Sequence, residues 1–425
     1  MKKAENILKR VSEKIEPSEQ DMKLIQNSAK EFSEILKKNI KKLKINAEVF
    51  IGGSFAKKTV IKKDKYDVDI FIRYDKKYMD KEISPLTRKI LNERNFSVVH
   101  GSRDYFRINE GEDFFIEIIP VKKVNKPEES ENITDLSYSH VKYINKKIKN
   151  PKIINEIKIA KAFCYANGCY GAESYVQGFS GYSLELLVYY YGGFFKFIKA
   201  MSKIKKEKEI IDIEKHFKNK KNVLLDLNSS KLNSPVILID PTYMQRNALA
   251  ALSKETFEKF QEACRNFIKN PSINAFEICK IDIEKVKEKA KRAKREFILL
   301  KVKTNRQEGD IGGSKLLKFY NFLGKEIEFL FNVKDKGFEY NNKQSAEYFF
   351  VSERKKEIIF GGPFVDDEEN VINFKKEHKN VFEKGKRLYA KEIPRLSLKE
   401  FIEKWKIKNS RIIKEMYIDE VKNII

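Results

Sequence analysis

Thiol and imidazole groups are scarce in this sequence, with four cysteines and four histidines among 425 residues. Cys164, Cys169, Cys264 and Cys279 follow no zinc-binding spacing, so they are expected to be reduced thiols in the core. Long apolar runs are missing too. The most apolar stretch, 181–198, is broken by Glu185, Lys196 and Gly192-Gly193, and so reads as a buried helix rather than a membrane span. The N-terminal MKKAENILKRVSEKI lacks the uninterrupted apolar core and small-residue cleavage site of a secretory signal; it patterns as an amphipathic helix, and a cytoplasmic protein is expected. No internal repeat or long low-complexity linker is evident.

What is present is enough apolar material, 41% hydrophobic and 12% aromatic, to bury more than one core. Basic residues number 87 against 62 acidic, a net charge of +25, which favours a polyanionic partner such as RNA. Lys, Ile and Asn are abundant throughout, so charge alone leaves a compositional bias equally open.

Ser18 opens Ser-x-x-Asp ahead of Met22, Ile25, Ala29, Phe32, Leu36 and Ile40, which predicts a capped helix ending near Lys44. The β-prone Ala47–Ile51 stops at Gly52-Gly53, after which a new helix is expected from FAKKTV onward. Two further strands are expected over Tyr66–Tyr74 and Asp113–Pro120. From Pro151 the pattern becomes helical, pauses at Asn167-Gly168 and resumes. The aromatic clusters Tyr189–Tyr191 and Phe194-Phe195 are read as core before base-stacking platforms. The basic run KVKEKAKRAKREF reads first as an exposed helix face, with RNA contact as its rival. The expectation is a multidomain α+β chain with a mixed α/β head over 1–148, a helical central domain over 149–262 and a mixed α/β region over 263–425.

Asp67 and Asp69 stand two apart in YDVDIFI, so on a strand both carboxylates leave the same face, separated by roughly 6.5 Å of rise. Crowding two carboxylates without a cation forces one to protonate, and oxygen ligands with no His or Cys nearby suit Mg²⁺. Asp-x-Asp alone is better read as an exposed edge strand. Gly53-Ser54, placed after a strand and at the start of a helix, adds backbone N–H groups able to receive a triphosphate. A third carboxylate is needed beside the attacking hydroxyl. Glu117 in the apolar FFIEIIP is the candidate, an outward-facing edge residue its alternative, and Asp113 the fallback.

Together, IGGSFAKKT, YDVDIF, GSRDYF, TDLSYSHVKYI, KAFCYANGCYGAES, GFSGYSLELLVYYYG, DPTYMQRNALAALS and GGPFVDDEENV, in that order, resemble the class I, archaeal-type CCA-adding tRNA nucleotidyltransferases of the polymerase β superfamily. The resemblance implies a polymerase β-like head that adds CCA to tRNA from CTP and ATP without a template, with tRNA as partner and a homodimer as assembly. It implies that Gly53 and Ser54 hold the triphosphate and that Asp67, Asp69 and Glu117 hold Mg²⁺. It also implies that Lys57, Ser137, His140, Lys161, Tyr170 and Arg246 surround the incoming nucleotide. The family usually has Asp where Glu117 stands. The rivals are a poly(A) or oligoadenylate synthase and an RNA-binding protein on an inactive transferase scaffold.

Overall fold

Ser18 caps its helix as the spacing predicts. Its hydroxyl accepts from Asp21 N–H at 3.0 Å, and the Asp21 carboxylate accepts from Ser18 N–H at 3.3 Å. The computed structural model describes residues 2–425 apart from 64, 93, 102, 112–113, 206–207, 279–280 and 342. Asp113 and Cys279 therefore lie outside the described residues. The chain divides into two compact units, 1–279 and 280–425.

The first unit begins with α1 (Lys2–Ile15) and α2 (Glu19–Lys42), followed by β1 (Ala47–Ile51). The helix expected from FAKKTV is one turn only, α3 (Gly53–Ala56). Lys58 adopts a left-handed φ of 59°, which ends the helix before the β-branched Thr59-Val60-Ile61, all buried. Next come β2 (Tyr66–Tyr74), α4 (Asp80–Leu91), β3 (Ser97–Val99), β4 (Tyr105–Asn109) and β5 (Phe114–Lys122). These strands form one sheet in the order β1-β2-β5-β4-β3, with β2 and β5 parallel and the other pairs antiparallel. Val68, Ile70, Ile72, Ile116 and Ile118 bury one face against Ile25, Ala29, Phe32 and Leu36 of α2 and Ile83 and Ile90 of α4. Alternation sends Asp67, Asp69, Phe71 and Arg73 to the other face.

Helices α5 (Ser137–Lys147), α6 (Pro151–Ala166), α7 (Gly181–Tyr191) and α8 (Phe194–Met201) follow. Asn150 caps α6, with Pro151 at its first position, and α7 ends at Gly192, φ 71°. The region expected to be helical also holds a small sheet of β6 (Glu209–Asp212), β7 (Val236–Asp240) and β8 (Tyr243–Asn247), with α9 (Lys220–Asp226) between β6 and β7. Its centre is the fully buried run VILID, a β-branched signal that outweighs the surrounding helical pattern. Helix α10 (Lys254–Lys269) closes the unit, and Phe163, Phe179, Phe194, Phe197, Phe260 and Phe267 form the heart of its helical core. Phe194 is thus core as expected, whereas Tyr190 is exposed. Cys164, Cys169 and Cys264 are free, buried thiols.

The second unit runs α11 (Ile283–Arg292), β9 (Glu296–Thr304), α12 (Asp310–Leu330), β10 (Phe331–Tyr340), β11 (Ser345–Arg354), β12 (Ile358–Phe364), α13 (Glu368–Glu377), β13 (Val381–Lys384), β14 (Arg387–Glu392), α14 (Leu398–Lys408), α15 (Ser410–Glu415) and β15 (Ile418–Asn423). A four-stranded antiparallel sheet, β10-β11-β9-β15, is covered by α12 and α14 through Leu316, Phe319, Leu323, Ile402 and Trp405. A separate three-stranded sheet orders β12-β14-β13. On α11 only Ala290 is buried, so 285–292 of the basic run is mostly exposed helix, while the run's last residues, Glu296 and Phe297, belong to β9. Among the described residues no helix is long and apolar enough to cross a membrane.

Candidate active site

Parallel pairing sets Asp69 directly opposite Glu117, and Asp67 opposite Phe115, so the three carboxylates share one face of adjacent strands. The turn after β1 closes on them. Gly52 N–H donates to Asp69 O at 2.8 Å, and Gly53, at φ +60°, comes so close that a Cβ there would stand 1.7 Å from Asp69 Oδ2. Only glycine permits both that backbone conformation and that approach. Ser54 follows in α3, its carbonyl accepting from Thr59 N–H at 2.9 Å.

The acids differ in their partners. Asp67 Oδ1 accepts from Lys63 Nζ at 3.1 Å. Burial lowers the Lys63 ammonium, but Asp67 and Tyr165 together outweigh that and leave it raised. Glu117 Oε1 accepts from Arg107 Nη2 at 2.7 Å and Nε at 3.2 Å; Arg107 is its register partner on β4. Burial still raises the Glu117 carboxyl, with Arg107 opposing. Asp69 is pushed up to about 8, first by burial and then by the charges of Asp67 and Glu117. Among the described residues no three acids, histidines or cysteines converge closely enough to hold a metal as they stand, since Glu117 is turned to Arg107 and Asp67 to Lys63. The donor chemistry nonetheless fits a hard divalent cation, because the burial and the charge crowding that raise Asp69 are what such a cation offsets.

Helices α5, α6 and α7 clasp the segment after Gly53. Asn145 Nδ2 donates to Ala56 O at 3.1 Å. Lys57 Nζ bonds Glu185 Oε2 at 2.7 Å, while Thr59 Oγ1 and Lys161 Nζ bond Glu185 Oε1 at 2.9 and 3.1 Å. Lys161 also donates to Thr59 Oγ1 at 2.6 Å, so the partner its buried position demands is Glu185, inside the protein. Burial lowers the Lys161 ammonium to about 8.

Tyr170 stacks on Tyr165 with centroids 4.1 Å apart, and Lys63 Nζ stands 5.7 Å from the Tyr165 ring. A Cβ on Gly181 would come within 2.9 Å of the Tyr170 hydroxyl and 3.8 Å of Lys161 Cε, which places Tyr170 beside Lys161. His140 stacks on Tyr182 at 4.0 Å. His140 Nε2 donates to Asp240 Oδ2 at 3.0 Å, and Arg246 Nη1 donates to the same oxygen at 2.6 Å. The Tyr182 hydroxyl and the Thr242 N–H and hydroxyl donate to Asp240 Oδ1 at 3.0, 2.8 and 2.8 Å. Burial lowers His140, with Asp240 opposing, which favours the neutral imidazole. Burial works against the Asp240 charge too, but these donors outweigh it and hold the carboxyl below its ordinary range. Lys57 Nζ, 6.0 Å from the Tyr182 ring, joins this cluster to the first.

The expected residues are thus strung along one connected network, apart from Ser137, which stands at the start of α5 with its N–H on Thr134 O. The reading of the sequence missed Lys63, Thr59, Arg107, Tyr182 and Asp240, and used Glu185 only as an argument against a membrane span. Glu185 did carry a signal, because an acid in GYSLELLVYYY needs a buried cation.

The sequence profile described as tRNA nucleotidyltransferase, second domain, matches residues 155–277. The CCA-adding enzyme of Methanocaldococcus jannaschii is 30% identical over 407 residues, 91% of this chain and 87% of its own length. That of Nanoarchaeum equitans is 43% identical over 212 residues, 49% of this chain and 52% of that enzyme, so there the match spans about half of the relative. That of Pyrobaculum aerophilum is 29% identical over 284 residues, covering 65% and 63%. Among solved structures, the Cid1 poly(U) polymerase, in a crystal bound to Mg and 3′-dATP, aligns with a TM-score of 0.51 at 13% identity over 64% of this chain and 98% of its own. A cytoplasmic RNA terminal U-transferase aligns with a TM-score of 0.50 at 12% identity, covering 66% of this chain and 99% of that one. At such identities these two structures show the shared nucleotidyltransferase fold.

Proposed function

Because this chain belongs to the family of CCA-adding enzymes, we propose that it completes the 3′ end of tRNA with C, C and A, taken from CTP and ATP without a template. The observation that carries the reading is the single sheet face bearing Asp67, Asp69 and Glu117, with Gly53 pressed against Asp69.

Asp67 and Asp69 would hold Mg²⁺, with Glu117 as the third ligand in place of its bond to Arg107. When bound, the metal supplies charge stabilisation to the attacking and leaving oxygens. The glycine turn and Ser54 bring backbone N–H groups to the triphosphate, and Lys57 and Lys161 add positive charge to it. Tyr170, His140 and Arg246 line the side taken by the nucleoside, with Ser137 at its edge. The 3′ hydroxyl of the RNA attacks the α-phosphorus, its proton passes to Glu117, and pyrophosphate leaves as the new phosphodiester forms. The basic second unit contacts tRNA, the assembly is a homodimer and the setting is the cytoplasm, where tRNA and both nucleotides are found.

The test is extension of tRNA lacking its CCA end in the presence of Mg²⁺ and labelled CTP and ATP. Three additions in the order C, C, A are expected. Tailing with ATP alone would replace this reading by a poly(A)-type activity. No extension of any RNA, with tight tRNA binding intact, would favour an RNA-binding scaffold, the reading to which the Arg107–Glu117 pair lends its one observation.

A further inference from the structure

Glu185 is a fully buried acid that the reaction outlined above does not use. Its two oxygens meet two ammonium groups from different elements, Lys57 beyond α3 and Lys161 on α6, with Thr59 as a third donor. The lysine side chains are themselves nearly buried, 10% and 3% exposed. One carboxylate against two ammonium groups leaves an excess positive charge where water is scarce, and such a charge is costly unless an anion meets it. Without the carboxylate the two cations would repel each other at close range. An ammonium has three donors, and Lys57 spends one of them on Glu185 and keeps the others for phosphate oxygens, whereas Lys161, which also donates to Thr59 O at 3.2 Å and Thr59 Oγ1 at 2.6 Å, contributes its charge.

We propose that Glu185 is a positioning residue that sets Lys57 and Lys161 at the separation needed to receive the nucleotide triphosphate, leaving one of their two charges for it. The inference rests on the reading of these lysines as triphosphate ligands. Specificity for the anion then comes from a preset pair of charges rather than from long side chains ordered on binding, a saving in side-chain entropy. The charged groups facing Lys161 are Glu185 from α7, Lys57 from the turn beyond α3 and, farther off, Lys63. Since burial has already brought Lys161 to about 8, its charge depends on Glu185 in the neutral range.

The experiment measures kcat and KM for ATP and CTP in tRNA extension from pH 6 to 9.5, together with equilibrium ATP binding, for wild type, Glu185→Gln and Glu185→Asp. In Glu185→Gln, KM is expected to rise about tenfold or more, the scale of a lost charged hydrogen bond, while kcat changes by less than about threefold. The pH at which KM begins to climb, near 8 in wild type, should move lower, because burial and Lys57 then act on Lys161 unopposed. Glu185→Asp keeps the charge and should keep the wild-type inflection while weakening binding through its shorter reach. Unchanged KM and inflection in Glu185→Gln, or a fall in kcat at constant KM, would overturn the proposal. Should thermal unfolding show that Glu185→Gln does not fold, Glu185→Asp decides, with unchanged KM and ATP affinity as the overturning result. A wild-type chain that extends no RNA would defeat the functional reading instead, and ATP binding would still test the role of Glu185.

Discussion

Replacing Gly53 by Ala separates the geometry of the acidic site from the stability of the fold. At φ +60° an L-residue carries about 1–2 kcal/mol of backbone strain, which in a unit of this size lowers the unfolding midpoint by a few degrees. The steric demand is more severe. The new Cβ would sit 1.7 Å from Asp69 Oδ2 where ordinary contact begins at 3.4 Å, so the carboxylate must retreat by roughly 1.7 Å or the turn must open. A displacement of about 1 Å at a reacting centre can cost 100-fold in rate, and a loss of that size or larger is expected in single-turnover addition of CTP or ATP to tRNA lacking its end. Gly385→Ala is the control, because it imposes similar strain at φ +65° with nothing within 4 Å of the added carbon, and should leave the chemical step unchanged. If Gly53→Ala folds and adds nucleotides within about threefold of wild type, the close approach of the turn to Asp69 has no part in catalysis.

Asp67→Ala and Asp69→Ala should each reduce incorporation below detection while tRNA affinity in a filter-binding assay stays near wild type; turnover in either variant would contradict their assigned role. The Asp69 carboxyl, raised from 3.8 to about 8, binds its proton more tightly in the folded chain than in the unfolded one, so metal-free stability should fall as pH rises through that window. Mg²⁺ takes the ionised form, and its stabilising shift in thermal unfolding should therefore grow from pH 6 to pH 8; a shift independent of pH, or one that persists in Asp69→Asn, would contradict this. Asp240→Asn leaves Arg246 and His140 around a neutral amide, and breaking such a buried pair costs about 3–5 kcal/mol, measurable by urea unfolding; a loss below about 1 kcal/mol would show that the cluster contributes little to the fold.

Much of the head could be read from local pattern. Tyr66–Tyr74 alternates apart from the buried Phe71, so both its bounds and the shared face of Asp67 and Asp69 followed from period two. Ser18 and Asn150 mark helix starts by side-chain chemistry that acts within three residues. What remained hidden depends on distant pairing. Nothing local says that β2 and β5 run parallel in the register that sets Asp69 beside Glu117, or that Arg107 on the next strand would claim that Glu. Lys161 and Glu185 each need a partner, but 24 residues and a turn separate them, and nothing local pairs the two. The small sheet at Val236–Asp240 was obscured by helices on either side, although five consecutive buried positions, three of them β-branched, are what a central strand requires.

The pairing of charges bears on how the fold tolerates so many acids at the site. Lys63 answers Asp67, Arg107 answers Glu117, and Lys57 with Lys161 answers Glu185. Among the described residues Asp69 has no such cation within ion-pair distance, and it is the acid whose carboxyl is displaced to about 8, so at neutral pH it is mostly protonated. The group is thereby stable as it stands, because the one acid lacking a counter-ion has given up its charge. A divalent cation arriving at Asp69 would release that proton, and its second charge would compete with Lys63 and Arg107 for the neighbouring carboxylates. The length of Glu117 matters in that exchange, since an Asp at the same register would reach less far toward Arg107 on the neighbouring strand. Glu in place of the family's usual Asp is then best understood together with Arg107, whose two hydrogen bonds oppose the rise that burial imposes on the carboxyl.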